Sequence, residues 1–201
     1  LPTGDYRVQD HFHTNAGTKV LGPVDQSIQL GDGGTGFTTE LNAFQTLSKK
    51  LSLYGSFFYL INPREHNGVS TSRGGATSAT ALQYGSDVMS VPDQYMIRFG
   101  ANLTLNKLTL SAGYRHECVP SSDLFGGDYG FRRPGYVNSI EPGITYSIKK
   151  MNLYAYVPIA VVRSRTQSYA DKQRTNITGV YAQGDAAFAD LSVSVGVSVR
   201  F

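Results

Sequence analysis

Six ionisable residues fall on the polar side of alternating runs: Glu40, Arg98, Arg115, Glu117, Glu141 and Arg200. Carboxylates and guanidiniums on one face of a sheet can form a polar constriction that orients or filters a solute. They can equally pair with one another and fill a narrow barrel. Both outcomes need the same inward placement, so spacing does not separate them. A second group sits in one aperiodic stretch: Phe125, Tyr129, Phe131, Arg132 and Arg133. Rings interleaved with guanidiniums suit the extracellular mouth of a channel for an aromatic or fatty ligand. Loop packing over a barrel rim uses the same residue types.

Other chemistry has weaker support. His11, His13, His66 and His116 show no metal-ligand spacing, although His11 and His13 share a loop. Asp32, Asp123, Asp128, Asp185 and Asp190 lie in Gly-rich loops, but without the EF-hand spacing that calcium would call for. No GxSxG elbow is present. No CxxCH is present either, which argues against covalent haem. The single cysteine, Cys118, has no partner for an internal disulfide and reads as a small apolar filler. Arg163, Arg165 and Arg174 suit either anionic lipid head groups or solvent. No catalytic residue, metal site or cofactor is predicted, and no enzyme activity is expected. A net charge of +3, dispersed along the chain, gives no footprint for nucleic acid.

The elements that must position these side chains are strands. The last stretch, DLSVSVGVSVRF, alternates strictly: Leu191, Val193, Val195, Val197, Val199 and Phe201 against Ser192, Ser194, Gly196, Ser198 and Arg200. It is long for a globular strand and suited to one tilted through a bilayer. Its terminal Phe201 resembles the C-terminal assembly signal of bacterial outer-membrane β-barrels. Upstream, period 2 returns over residues 36–47, 51–62, 95–105, 108–118, 136–148 and 153–161. With the final run these make seven readable strands, plus an N-terminal stub at residues 1–6. On the polar faces, Tyr54, Phe58, Leu60, Tyr154 and Tyr156 add inward bulk. No apolar run is long enough for a transmembrane helix. The chain has 13 Tyr and 10 Phe for interfacial girdles, though no Trp.

Long and short connections alternate. Loops at 7–33, 63–93, 119–134 and 162–189 are long; turns at 48–50, 106–107 and 149–150 are short and mostly basic. Short periplasmic turns and long extracellular loops are the asymmetry of outer-membrane barrels. The predicted fold is therefore all-β: a transmembrane antiparallel up-and-down barrel, one domain over residues 1–201, with its C-terminus at the periplasmic side. Single-chain bacterial barrels close with an even strand number. Seven strands and a stub leave two expectations: further N-terminal strands and a larger barrel, which is favoured, or an additional strand within the stub and its loop.

The stretches LPTGDY, DQSIQLGDGG, SLYGSFFYLINPREHNG, SVPDQY, DLFGGDYGFRRPGY, EPGITYS and GDAAFAD, closing on RF, resemble the C-terminal part of a bacterial outer-membrane family. That family is described as FadL-like, or transporter-like of meta-pathway phenol degradation. Members often carry Trp after GDGG, where this chain has Thr35. The resemblance brings no catalytic residues. It implies a channel for passive passage of small, hydrophobic or aromatic solutes, with outer-membrane lipid as its surroundings. The competing expectation is a plugged barrel serving as scaffold or membrane sleeve for other membrane subunits.

Overall fold

In a computed structural model, residues 3–184 and 188–201 are described. Leu1, Pro2 and Asp185 lie outside them, and residues 3–6 of the expected stub form no strand. The chain is 50% strand and 9% helix, and the framework is one curled, half-barrel antiparallel sheet.

In chain order the elements are β1 (Gln9–His13), β2 (Lys19–Pro23), β3 (Phe37–Thr46), β4 (Leu51–Ile61), β5 (His66–Ser70), α1 (Ala79–Tyr84), β6 (Val88–Ser90), β7 (Gln94–Leu105), β8 (Leu108–Val119), β9 (Gly135–Ile148), β10 (Met151–Tyr156), β11 (Ile159–Arg165), α2 (Tyr169–Thr178) and β12 (Ser194–Val199). The main sheet runs β3-β4-β7-β8-β9-β10-β12, with β11 also paired to β9. Each step is antiparallel. Because β10 and β11 share the length of β9, the eight segments occupy seven positions.

The meander follows the alternating runs closely. β7 and β8 join at Asn106-Lys107, with Asn106 at φ 55°, the left-handed geometry of a two-residue hairpin turn. β9 and β10 join at Lys149-Lys150, with Lys149 at φ 50°. The strand expected over 153–161 is broken instead. Pro158 has no N–H to give to the ladder, and a register shift follows between Ala160 and Val162. The far half, β11, continues into what read as loop. The final strand is shorter than its alternation, with only an isolated bridge, Ile159↔Leu191, above it. Three of the long loops also hold structure of their own: the β1–β2 hairpin, the β5–β6 pair with α1, and α2. Among the described residues no helix is long and apolar enough to cross a membrane, which leaves strand crossing untouched.

The faces are inverted relative to a water-soluble sheet. Phe37, Leu41, Phe99, Ile140, Val193 and Val195 stand exposed on the convex face. On the concave face Ser52, Ser111, Ser139 and Glu141 are buried. Buried apolar residues are few among the described residues: Met89, Val91, Val137, Ala170 and Ala182.

Inward tyrosines sit on glycines. A Cβ on Gly113 or Gly100 would lie 2.2 or 2.7 Å from the Tyr54 hydroxyl, and one on Gly196 or Gly143 would run into the rings of Tyr154 or Tyr156. The glycines let the rings lie flat against the backbone, which both fills the concave side and favours curvature. At Gly100 the nearest atoms are backbone, the Ala112 carbonyl at 2.5 Å. Gly100→Ala is therefore expected to cost about 1–3 kcal/mol through overpacking. The Tyr54 hydroxyl is buried without a hydrogen-bond partner, so Tyr54→Phe should be neutral or stabilising. Urea unfolding followed by tyrosine fluorescence separates the two outcomes.

Candidate functional site

The concave face gathers the charged residues from four strands. Arg98 (β7) and Arg115 (β8) stand directly opposite each other in the ladder, a pairing of like charges that is unfavourable by itself. Glu141, one strand further on in β9 and 1% exposed, takes both. Arg98 Nε donates to Glu141 Oε1 at 3.0 Å, and its Nη2 makes a further short contact with the same oxygen. Arg115 Nη1 donates to Glu141 Oε2 at 3.3 Å, while its Nη2 donates to Glu117. The Arg98 guanidinium lies 5.6 Å from the Tyr156 ring centroid. The result is a neutral, four-residue set spanning three strands. Glu40 shares this concave space from edge strand β3 and accepts from Asn42 Nδ2 at 2.9 Å. Arg200 lies just beyond β12, where its backbone N–H donates to the Lys150 carbonyl.

Voids run along this face. A lower one of about 550 Å³ is lined by Glu40, Tyr54, Arg98, Glu141, Tyr154 and Tyr156. A middle one of about 360 Å³ is lined by Phe58, Glu117, Val137, Pro158 and Phe188. Both touch Met96 and Arg115. An upper one of about 220 Å³ lies under the loops, between Pro92, Phe131, Arg133 and Phe188. It shares Gln94, Val119 and Phe188 with the middle void. The charged set therefore stands between the lower and middle voids.

The residues expected at the mouth do different things. Arg132 is wholly withdrawn from solvent and forms a two-pronged ion pair with Asp123, both side chains 0% exposed. It also donates to Ser90 Oγ and to the Gly127 carbonyl. Arg133 pairs with Asp25 at 2.7 Å and lies 5.6 Å from the Phe131 ring centroid. Tyr129 packs on Tyr169 and donates its hydroxyl to Asp87. Phe125 is exposed. Phe131, Arg132 and Arg133 thus line the upper void, and Arg132 and Tyr129 also hold loops to one another.

That lacing is what the sequence reading missed. Asp93, fully buried, accepts from the Asn62 amide, the Tyr59 hydroxyl and the Leu124 amide. Asp123 in turn accepts from the Asp93 amide. Arg64 donates to carbonyls of Gly33, His66 and Asn67. Glu65 accepts from the Tyr129 amide, and Gln26 donates to the Ser90 carbonyl. The long loops form a single cap over one end of the sheet. Burial pushes the Asp123 carboxyl above its ordinary range, outweighing the downward pull of Arg132.

Tyr129 is held up to about 12, chiefly by its hydrogen bond to Asp87. Its folded value lies above the ordinary 10.0, so the bond's contribution is complete below pH 10 and is lost as pH rises toward about 12. Alkaline titration of cap stability should show a loss in that window that Tyr129→Phe abolishes. A variant that keeps the loss would assign it to another group.

The remaining candidates stay apart. His11 and His13 lie on β1 in the cap hairpin. His116 lies on the convex face, bonded to Asn138 at 2.6 Å. Among the described residues no three His, Cys, Asp or Glu side chains come together as a metal cluster. Asp32 and Asp128 are spent on backbone amides of Gly34 and Asp123. Arg163 pairs with Asp190, and Arg174 lies in α2. Cys118 sits on the convex face opposite Tyr95 and Tyr136.

On that convex face the upper strand ends carry a row of rings. Tyr59 stacks on Tyr95 with centroids 5.9 Å apart, Tyr95 neighbours His116 at 5.5 Å, and His116 neighbours Tyr136 at 5.5 Å. The row crosses β4, β7, β8 and β9. Comparison with protein-family models, curated proteins and solved structures finds no match for this chain.

Proposed function

We propose that the chain is the wall of a bacterial outer-membrane β-barrel, its short turns and C-terminus periplasmic, through which small hydrophobic or aromatic solutes pass passively. The observation that carries this reading is the inversion of the sheet: exposed aliphatic and aromatic side chains outside, buried Ser and Glu with half-buried Arg inside. Water would penalise that arrangement and lipid would favour it. The ring row fits the outer interfacial girdle. From Tyr95 on that row to Leu105 at the turn, ~3.3 Å per residue at a ~40° tilt gives roughly 25 Å, the height of a barrel's apolar band.

On this reading a solute meets Phe131 and Phe188 in the upper void, then the middle void, then the set of Arg98, Arg115, Glu117 and Glu141. The paired charges offer hydrogen bonds without a net charge, which suits neutral solutes with one polar atom. The likeness of the loop motifs to FadL-like transporters points the same way. No step of bond chemistry is involved.

The laced cap supports a second reading, a plugged barrel that serves as scaffold for other membrane subunits. Flux separates the two. Vesicles carrying the protein should leak a small phenol faster than protein-free vesicles and conduct ions in planar bilayers. Absence of both sinks the channel and leaves the scaffold.

A further inference from the structure

The loop between β8 and β9 carries two adjacent apolar side chains, Leu124 and Phe125, 60% and 62% exposed. Everything around them is fixed. On the N-terminal side Asp123 is locked by Arg132. On the C-terminal side Gly126 and Gly127 take φ 101° and 112°, conformations that side chains rarely adopt, and fold against Asn62–Pro63 and Glu65. The Leu124 amide donates to Asp93 Oδ2 at 2.9 Å, and the same oxygen accepts from the Tyr59 hydroxyl at 3.0 Å. One carboxylate oxygen thus ties the loop tip to the ring row at the outer end of the convex face. A rigid loop that spends two large apolar side chains on exposure, beside an apolar face, continues that face.

We propose that Leu124 and Phe125 form an interfacial lipid anchor, seated at head-group level in the outer leaflet above the Tyr59–Tyr95–His116–Tyr136 row. This rests on the barrel reading and extends it to a loop. An anchor at that point has a mechanical effect. Asp93 and Asp123 connect it to Arg132, Ser90 and the roof of the upper void, so lipid contact would steady the cap as well as the wall.

The chain contains no Trp, so a single introduced indole is a clean reporter. Phe125→Trp probes the loop. Phe99→Trp, on the exposed middle of the convex face, probes the wall. Both go into vesicles whose lipids are brominated either near the head group or deep in the acyl chain. The expected result is strong quenching at position 99 by the deep bromines. At position 125 shallow bromines should quench at least about twofold more than deep ones, with weak quenching by aqueous acrylamide, as for an interfacial aromatic. Quenching at 99 combined with full acrylamide access and no bromine quenching at 125 overturns the anchor and leaves the barrel standing. No bromine quenching at either position overturns both. A Leu124→Asn, Phe125→Asn double variant gives an independent check. It should raise protease cleavage within the cap in membranes but leave it unchanged in detergent, and equal cleavage in both overturns the anchor.

Discussion

Arg132→Ala should destabilise the cap by about 3–5 kcal/mol, the typical cost of stranding one partner of a buried ion pair. The partner left behind is Asp123, fully withdrawn from solvent and already pushed up by burial while Arg132 is in place. Without the guanidinium it would move further up, and Ser90 Oγ and the Gly127 carbonyl would lose their donor. The double variant Arg132→Met, Asp123→Leu tests the interpretation. A buried pair seldom outperforms well-packed apolar replacements, so the double variant should recover most of the loss. Limited proteolysis of the 119–134 loop and urea unfolding read both. The pH sign follows from the same carboxyl. With a folded value above the ordinary 3.8, the folded cap holds this proton more tightly than the unfolded chain. Its contribution is unfavourable above the folded value, eases as pH falls through it, and is fully relieved below 3.8. An Arg132→Ala variant as stable as the parent at neutral pH would refute the assignment.

Glu141→Gln should have the second large effect, on conduction as well as stability. Glu141 is what allows Arg98 and Arg115 to face each other across β7 and β8. Glutamine keeps the volume and removes the charge. The set then becomes net positive between the lower and middle voids. On the channel reading, reversal potentials in a salt gradient should shift toward anion selectivity. Stability should fall by about 3–5 kcal/mol through the exposed repulsion. Adding Arg115→Gln should restore neutrality and bring the reversal potential back. A reversal potential that ignores both substitutions would place the ion path elsewhere.

The strands were legible because their period is the geometry itself: alternate side chains take opposite faces. Asn106-Lys107 and Lys149-Lys150 were legible as turns for the same reason, as breaks in that period. The cap was not. Its carboxylates act over separations such as 64 residues, from Glu65 to Tyr129, or 108, from Asp25 to Arg133, and no local pattern announces them. Reading Arg132 as a mouth residue or as loop packing was undecidable from its neighbours, because burial is a property of the assembled loops. α2 is a different case. Ser168 and Asp171 form a capping box, and Gly179 closes the helix at φ 69°, so SYAD followed by a later glycine was a readable helix signal inside what passed for loop. The break at Pro158 was readable too, since proline denies the ladder a donor in any strand.

The seven positions of the sheet have a consequence for closure. Six antiparallel steps separate β3 from β12, so the two free edges run in the same direction. Among the described residues each presents a row of unpaired N–H and C=O groups, which lipid, on the barrel reading, would not satisfy. A ring of alternating strands built on this sheet must insert an odd number of strands, the first and last running opposite to β3. A second copy inserted the same way round offers edges of the wrong polarity, since β12 of one would meet β3 of the other in parallel. Dimerisation in a common orientation therefore cannot complete an alternating wall. On the barrel reading, the polarity of the edges calls for a segment whose outermost strands both run toward the cap.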